Sequence, residues 1–325
     1  MRYETGDALE IARRAAIRAG ASRDVAHSLA KAVVAAEWAG QRSVGFAHLP
    51  DYLDGFAKGR IAADAEPEIS FPAPALIRID ARGGIAQLGF DRAFDVIVER
   101  AGLHGVALLA QSDSYTVGEL GYYTRRLAEA GLVALAACNA SAQMTTLESR
   151  KAVFGTNPIS FAAPLQSGKP LVIDQASSAT AFVNVRRAAE RGESIPAGWA
   201  IDAAGNPTTN APEAMRGLLL AFGGLRGANI ALIVEVLAAG LTGANWSMDA
   251  PPFANGSRCP GVGLLIVAIQ PDLLAPGFTA RLSAQIERLA AQGVRIPGSH
   301  IHVKELDIPA ALIESIERRW PSESR

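Results

Sequence analysis

The chain has little of what would commit it to an oxidising, membrane or nucleic-acid setting. Two cysteines in 325 residues, Cys138 and Cys259, show neither CxxC nor Cys/His spacing. That excludes a disulfide scaffold and a zinc module and predicts two reduced thiols. Lys and Arg number 31 against 32 Asp and Glu, and no basic cluster is interleaved with aromatics, so neither nucleic acid nor an anionic membrane is an expected partner. The longest apolar window, residues 230–241, is interrupted by Glu235 and is too short to span a bilayer. Met1-Arg2-Tyr3-Glu4 opens no signal-peptide apolar core, so the expected location is the cytoplasm. His27, His104, His300 and His302 lack ligand spacing apart from the His300-x-His302 pair, and no metal is expected. Repeats and low-complexity tracts are absent, which excludes a solenoid.

What remains is a chain that is 49 % hydrophobic and long enough to bury a sizeable core divided between two lobes, with a small neutral or anionic metabolite as the expected ligand. Leu9, Ile11, Ala12, Ala15, Ala16 and Ala19 lie at helical spacing, and Gly20 stops that helix. Ser22 caps a second helix that runs to Trp38, and a third is expected over 51–58. Residues 66–74, rich in proline and acid, read as a linker out of this helical lobe. Beyond it come β-type runs at 75–80, 105–110, 133–137 and 264–269, and helices at 89–101, 121–130, 184–191, 228–241 and 280–292. The expected division is a helical lobe over 1–74 joined by 185–260, a sheet domain over 75–184 and 261–300, and a tail over 301–325.

Residues 153–181 organise the rest. Two apolar runs, Ile159–Ala163 and 171–173, flank the turn Gln166-Ser167-Gly168-Lys169 and read as a hairpin. Gly155-Thr156-Asn157-Pro158 precedes the first run and Asp174-Gln175-Ala176 follows the second, so both polar clusters fall on one sheet edge, where amides and hydroxyls can hold a ligand. Phe222-Gly223-Gly224-Leu225-Arg226-Gly227 then opens a helix, with a fixed cation beside free N–H groups that suit an anion. Neither GxGxxG after a strand nor GxxxxGK[ST] occurs.

F-G-T-N-P-I-S-F-A-A-P at 154–164, I-P-A-G-W-A-I-D-A-A-G-N-P-T-T at 195–209, F-G-G-L-R-G at 222–227 and V-E-V-L-A-A-G-L-T-G at 234–243 together resemble the type 2 malate/L-lactate dehydrogenase family, with its ureidoglycolate dehydrogenases and cyclic-imine reductases. The resemblance implies an α/β (α+β) protein in which a largely antiparallel, non-Rossmann sheet holds NADPH or NADH beside a helical domain. It also implies a homodimer whose site lies between lobes and is completed by the neighbouring subunit. On that pattern Gly118, Glu119, Leu120, Asp174, Gln175, Ala176, Arg226, Pro297 and Gly298 meet the cofactor and Thr156 meets the substrate.

The chain also departs from that pattern. Where the family shows S-H-G-x-x-R, with His as proton donor and Arg as carboxylate clamp, this sequence has Ser43-Val44-Gly45-Phe46-Ala47-His48. A second family His falls on Thr116, and an Asp of the imine reductases falls on Asn184. Reduction of C=O or C=N needs a polarised acceptor and a proton. Of the residue types left, histidine is the one suited to proton transfer near neutrality, which makes His48 the acid candidate and also a substrate contact, with Ser43, Thr116, Tyr115 and Asn184 as further polar candidates. An imine protonated in solution needs only orientation, so C=N is favoured over C=O. The expected function is therefore an NAD(P)H-dependent reductase of a cyclic imine or activated carbonyl. A 2-hydroxy acid dehydrogenase and a non-catalytic cofactor-binding member are the alternatives.

Overall fold

Alanine builds the first two helices. In Thr5–Arg18 the buried residues are Ala8, Ala12, Ala15 and Ala16, and in Arg23–Trp38 a broad stripe of Ala, Val and Leu is buried. Small side chains allow close packing of the two helices. Ser22 begins the second by accepting from the Val25 N–H at 3.4 Å, a cap worth about 1 kcal/mol. The computed structural model describes residues 2–254, 256–298 and 305–320. The two helices share a core with Leu49–Ala57, and that core also takes Ile313, Ile316 and Trp320 from the far end of the chain.

The expected C-terminal tail is thus corrected over its described part. Glu305–Asp307 pairs antiparallel with Arg2–Glu4, and the helix Ala310–Arg319 buries Ile313 and Ile316, three residues apart on one face. His300, and residues 301–304 and 321–325 of that expected tail with His302 among them, lie outside the described residues.

A second core lies on a seven-stranded sheet, ordered Glu68–Ala73, Leu76–Asp80, Val106–Ser114, Val262–Ile269, Val133–Cys138, Ile159–Ala163 and Leu171–Gln175. Every neighbouring pair is antiparallel except Leu76–Asp80 with Val106–Ser114, which is parallel. This is the largely antiparallel, non-Rossmann α/β arrangement expected from the sequence. The expected linker over 66–74 is corrected: Glu68–Ala73 is an edge strand. Its Pro72 falls where the register shifts between Ser70 and Ala73, and an edge position with a bulge tolerates the missing N–H.

A third core, around Met144, Val185, Leu219 and Ala231, packs the helix Phe182–Arg191 over short strands at Ala200–Ile201, Pro207–Thr208 and Leu218–Leu220. The loop expected at 194–199 leads into the first of these strands, whereas the stretch expected as a loop at 205–210 contains the second, Pro207–Thr208. The helix expected over 228–241 is Leu225–Glu235 followed by a π-helical turn, Val236–Gly240. Among the described residues no helix is long and apolar enough to cross a membrane.

Candidate active site

The hairpin sets one wall of a cleft. Its register pairs Ile159 with Gln175 and Ala163 with Leu171, so the loop entering the first strand and the loop leaving the second meet at one sheet edge, as expected. A buried polar network fixes the entering loop. Asn157 holds a left-handed φ of 38°, and its Nδ2 donates to Ala231 O at 3.0 Å and to Glu235 Oε2 at 2.7 Å. Glu235 also accepts from the Ser247 N–H at 2.6 Å and from its hydroxyl at 2.7 Å, so the carboxylate is buried with its acceptor sites filled. Ser177 N–H donates to Thr156 O at 2.8 Å and ties the two loops together.

Asp174 joins this edge to the helix Gly121–Glu129, its Oδ2 accepting from the Gly121 N–H at 2.7 Å. Glycine is required there: a Cβ on Gly121 would stand 2.9 Å from Glu119 Oε1 and 3.2 Å from Asp174 Oδ2. Burial raises the Asp174 carboxyl above its ordinary value, against the opposing pull of the Gly121 N–H and the Arg125 charge. Glu119 is 3 % exposed and is raised to about 7, first by burial and further by the Asp174 charge, with Arg125 opposing. Glu119 Oε1 accepts from Arg125 Nη2, whereas Oε2 meets no partner among the described residues.

The opposite wall comes from the turn Arg42–Val44 and the start of Leu49–Ala57. Glu37 reaches up from the second helix and accepts the Phe46 N–H at 2.8 Å, which anchors this turn to the helical core. Desolvation raises the Glu37 carboxyl, with that hydrogen bond opposing. His48 follows. Its Nδ1 lies 2.7 Å from Asp51 Oδ2 and its Nε2 lies 3.2 Å from Thr116 Oγ1. The rings of Tyr52 and Phe253 meet the imidazole edge-on at 4.9 and 5.3 Å. Tyr52 is itself held, donating to Thr116 O at 3.2 Å and receiving Gln87 Nε2 at 3.3 Å. The imidazole is therefore fixed between a carboxylate and a hydroxyl in an aromatic seat, which is how a protein sets a tautomer and aims a proton.

Between these walls lie two adjoining cavities of about 370 Å³ each, within the range of small-molecule sites. The first brings together Ser43, His48, Gly118, Glu119, Leu120, Thr156, Asp174, Gln175 and Ala176, nine of the residues picked out in the sequence. The second is lined by Pro297 and Gly298 with Arg295. Gln41, Glu119, Asp174 and Gln175 belong to both and form the partition.

Four expected residues line neither cavity. Tyr115 is fully buried, and its hydroxyl is committed to the carbonyls of Phe253 at 2.9 Å and Asp51 at 3.2 Å. Its phenol is pushed well up by burial, and it supports the His48 seat without reaching either cavity. Asn184 donates to Thr180 Oγ1 at 3.1 Å and lines neither cavity, although its neighbours Phe182, Val183 and Arg186 line the first. Arg226 opens the helix Leu225–Glu235 on an exposed face, outside both cavities. Thr116 meets the His48 Nε2 through its hydroxyl and lines neither cavity. Sequence reasoning passed over Asp51, Arg186, Gln143 and Arg125. Asp51 had a usable signal, since it lies three residues beyond His48 at a helix start, where the two side chains share a face. Arg186 had none, being one of several arginines on a basic helix. Among the described residues no group of three or more His, Cys, Asp or Glu is placed to hold a metal.

A mostly antiparallel sheet whose strand ends and helix start open on a two-part cleft, with a seated histidine in the wall of its first part, is a non-Rossmann architecture with the groups for proton transfer in place. The chain belongs to the malate/L-lactate dehydrogenase family, which it matches over residues 4–305. It is 35 % identical over 305 residues to a (2R)-3-sulfolactate dehydrogenase (NADP(+)) of Chromohalobacter salexigens, covering 91 % of each chain. To a Δ1-pyrroline-2-carboxylate/Δ1-piperideine-2-carboxylate reductase of Pseudomonas aeruginosa it is 36 % identical over 302 residues, covering 91 % of this chain and 90 % of that one. The crystal structure of a Δ1-piperideine-2-carboxylate reductase from Pseudomonas syringae pv. tomato superposes with a TM-score of 0.92 at 33 % identity, covering 98 % and 99 % of the two chains.

Proposed function

We propose that this oxidoreductase uses NADPH or NADH to reduce the C=N of a small cyclic imine carboxylate, with the activated C=O of a 2-oxo acid as the second substrate class. The observation that carries the reading is His48, seated between Asp51 and Thr116 on the wall of the cavity that also holds Thr156. A dinucleotide fits the cleft in outline. Two cavities in series share a wall, and the Pro297-Gly298 turn packs against the outer strand so closely that a Cβ on Gly298 would stand 2.9 Å from Val172 N. The bound nicotinamide supplies the hydride.

This chain's residues do the rest. Arg186, in the wall of the first cavity, provides the cation for a carboxylate in place of the arginine that the family pattern puts at position 48. Thr156 orients the substrate from the hairpin edge. Asp51 accepts the Nδ1–H of His48, so that the protonated imidazole presents its Nε2–H, directly or through the Thr116 hydroxyl, to the nitrogen or oxygen being reduced. An iminium formed in solution relaxes the demand for an acid and leaves orientation as the main requirement. The likeness to a pyrroline- and piperideine-carboxylate reductase supports the imine, and the likeness to a sulfolactate dehydrogenase supports the carbonyl as the second reading. Oxidation of reduced cofactor with Δ1-pyrroline-2-carboxylate and Δ1-piperideine-2-carboxylate, set against pyruvate, oxaloacetate and 3-sulfopyruvate, decides between them. Imines turned over at least about tenfold faster in kcat/KM, a difference of about 1.4 kcal/mol in barrier, is the expected outcome. No turnover of either class across pH 6 to 9 would sink the reading.

The working unit is a cytoplasmic homodimer. Leu225 at 64 % exposure, Leu232 at 52 %, Ile233 at 50 %, Val236 at 47 %, Trp246 at 46 % and Met248 at 69 % line the helix Leu225–Glu235 and the segment after it, an apolar face that a second copy would cover. Arg226 is exposed at the start of this same helix, where a second copy would meet it. Light scattering that finds a monomer at micromolar concentration removes this part.

A further inference from the structure

The partition between the two cavities holds two carboxyl groups beside a single guanidinium. Glu119 and Asp174 stand side by side with one guanidinium, Arg125, between them and the helix Gly121–Glu129. Glu119 is buried, yet its Oε2 is unpartnered among the described residues, and the residue lines both cavities. An unpartnered carboxylate oxygen buried this deeply is costly unless the group is neutral or a cation arrives beside it. The other charged groups around the cleft are His48, Asp51 and Arg186 on the first cavity and Arg295 on the second, and no hydrogen bond or ion pair joins them to Glu119 among the described residues.

A dinucleotide that fills the second cavity and presents its ring to a substrate at Thr156 and His48 must pass Gln41, Glu119, Asp174 and Gln175, the four shared wall residues. Its nicotinamide ring is neutral when reduced and positively charged when oxidised. We propose that Glu119 discriminates the redox state of the cofactor, holding its proton beside the neutral reduced ring and releasing it to solvent when the cationic oxidised ring occupies the cleft. No covalent bond to the cofactor changes in this exchange: one carboxyl O–H breaks, and the proton passes to water or buffer. The inference rests on the reading of both cavities as a nicotinamide dinucleotide site. It makes the affinity for oxidised cofactor rise with pH through the range where Glu119 titrates, and leaves the affinity for reduced cofactor without that component.

Calorimetric titration of the wild-type protein with NADP+ and NADPH, and with the NAD+ and NADH pair, at pH 6, 7 and 8 in two buffers of different ionisation enthalpy tests this without turnover. The 2′-phosphate titrates in both forms of NADP and cancels in their ratio. The expected result is a Kd ratio, oxidised over reduced, that falls about fivefold from pH 6 to pH 8, the part of one pKa unit of coupling that this window spans. A fractional proton is released with the oxidised form, and Glu119→Gln abolishes both effects. A constant ratio in the wild type overturns the inference and leaves the proposed function standing, and a sloping ratio that survives in Glu119→Gln overturns it likewise. Failure of either form to bind at millimolar concentration overturns both. Should Glu119→Gln not fold, the wild-type ratio and proton count decide alone.

Discussion

The two walls of the cleft are built on opposite plans. The sheet-side wall, from Gly118 to Leu120 and from Thr156 to Ala176, is held by backbone register and by the buried Asn157–Glu235–Ser247 network, and its sequence keeps the family pattern. The helical-side wall, from Ser43 to Asp51, is held by side chains, with Glu37 on the Phe46 N–H and Tyr115 on the Asp51 carbonyl, and its polar side chains depart from the pattern. A wall that offers strand ends and peptide groups to a ligand is constrained by fold geometry. A wall that offers side chains can exchange its chemistry without disturbing the fold. Under the proposed function, the half that would meet the cofactor keeps the pattern, and the half that would supply the proton relies on His48 with Asp51 and Arg186 beside it.

The contrast can be broken at several points, beginning with the largest effect. His48→Ala lowers kcat by about a hundred- to ten-thousand-fold, the usual worth of a positioned acid, and leaves cofactor affinity by fluorescence unchanged. If turnover and its pH profile survive intact, proton supply does not lie on the helical side at all. Arg186→Ala raises KM about tenfold for carboxylate substrates with little change in kcat, and Arg186→Lys recovers part of it. Equal loss for a substrate lacking the carboxylate would show that Arg186 holds structure and not substrate. Asp51→Asn lowers kcat/KM by roughly tenfold, because the imidazole loses the carboxylate that orients it. Unchanged kcat/KM would reduce Asp51 to a helix-start residue.

The smallest effect concerns stability on the sheet side. Glu119 is raised above the ordinary carboxyl value, so the folded chain holds that proton more tightly than the unfolded one. The resulting stabilisation is complete below the ordinary carboxyl range and is lost as pH rises through about 7. Glu119→Gln keeps a neutral group there. Its melting temperature should match the wild type at pH 5 and exceed it by about 2–5 °C at pH 8. A variant less stable at both values would mean that the bond to Arg125 outweighs the burial of charge.

What could be read from the sequence divides along the same line. The hairpin, its polar ends and the helix after Leu120 follow from local patterns: apolar runs bounded by glycine and proline, and an amphipathic period. Sheet order did not, because Val262–Ile269 lies between Val106–Ser114 and Val133–Cys138 and no local signal states which distant strand is its neighbour. Glu68–Ala73 was missed because its proline and acids resemble a linker, and only the edge position makes them compatible with a strand. His48 was found through elimination by residue type. Asn184 and Arg226 were placed by motif register alone, and their side chains lie outside the cleft of their own chain. Tyr115 shows the converse: a polar side chain in the right segment, turned inward to hold two carbonyls.

The position of Val262–Ile269 bears on how the molecule comes into being. Until that segment leaves the ribosome, a nascent chain has the strands Val106–Ser114 and Val133–Cys138 with no partner between them, each with an apolar face and an open ladder of peptide groups. Residues 262–269 must therefore be synthesised before the sheet can close. During that interval, chaperone contact or self-association competes with folding, so mutations in this late central strand should reduce yield in cells more than they reduce the equilibrium stability of molecules that do fold.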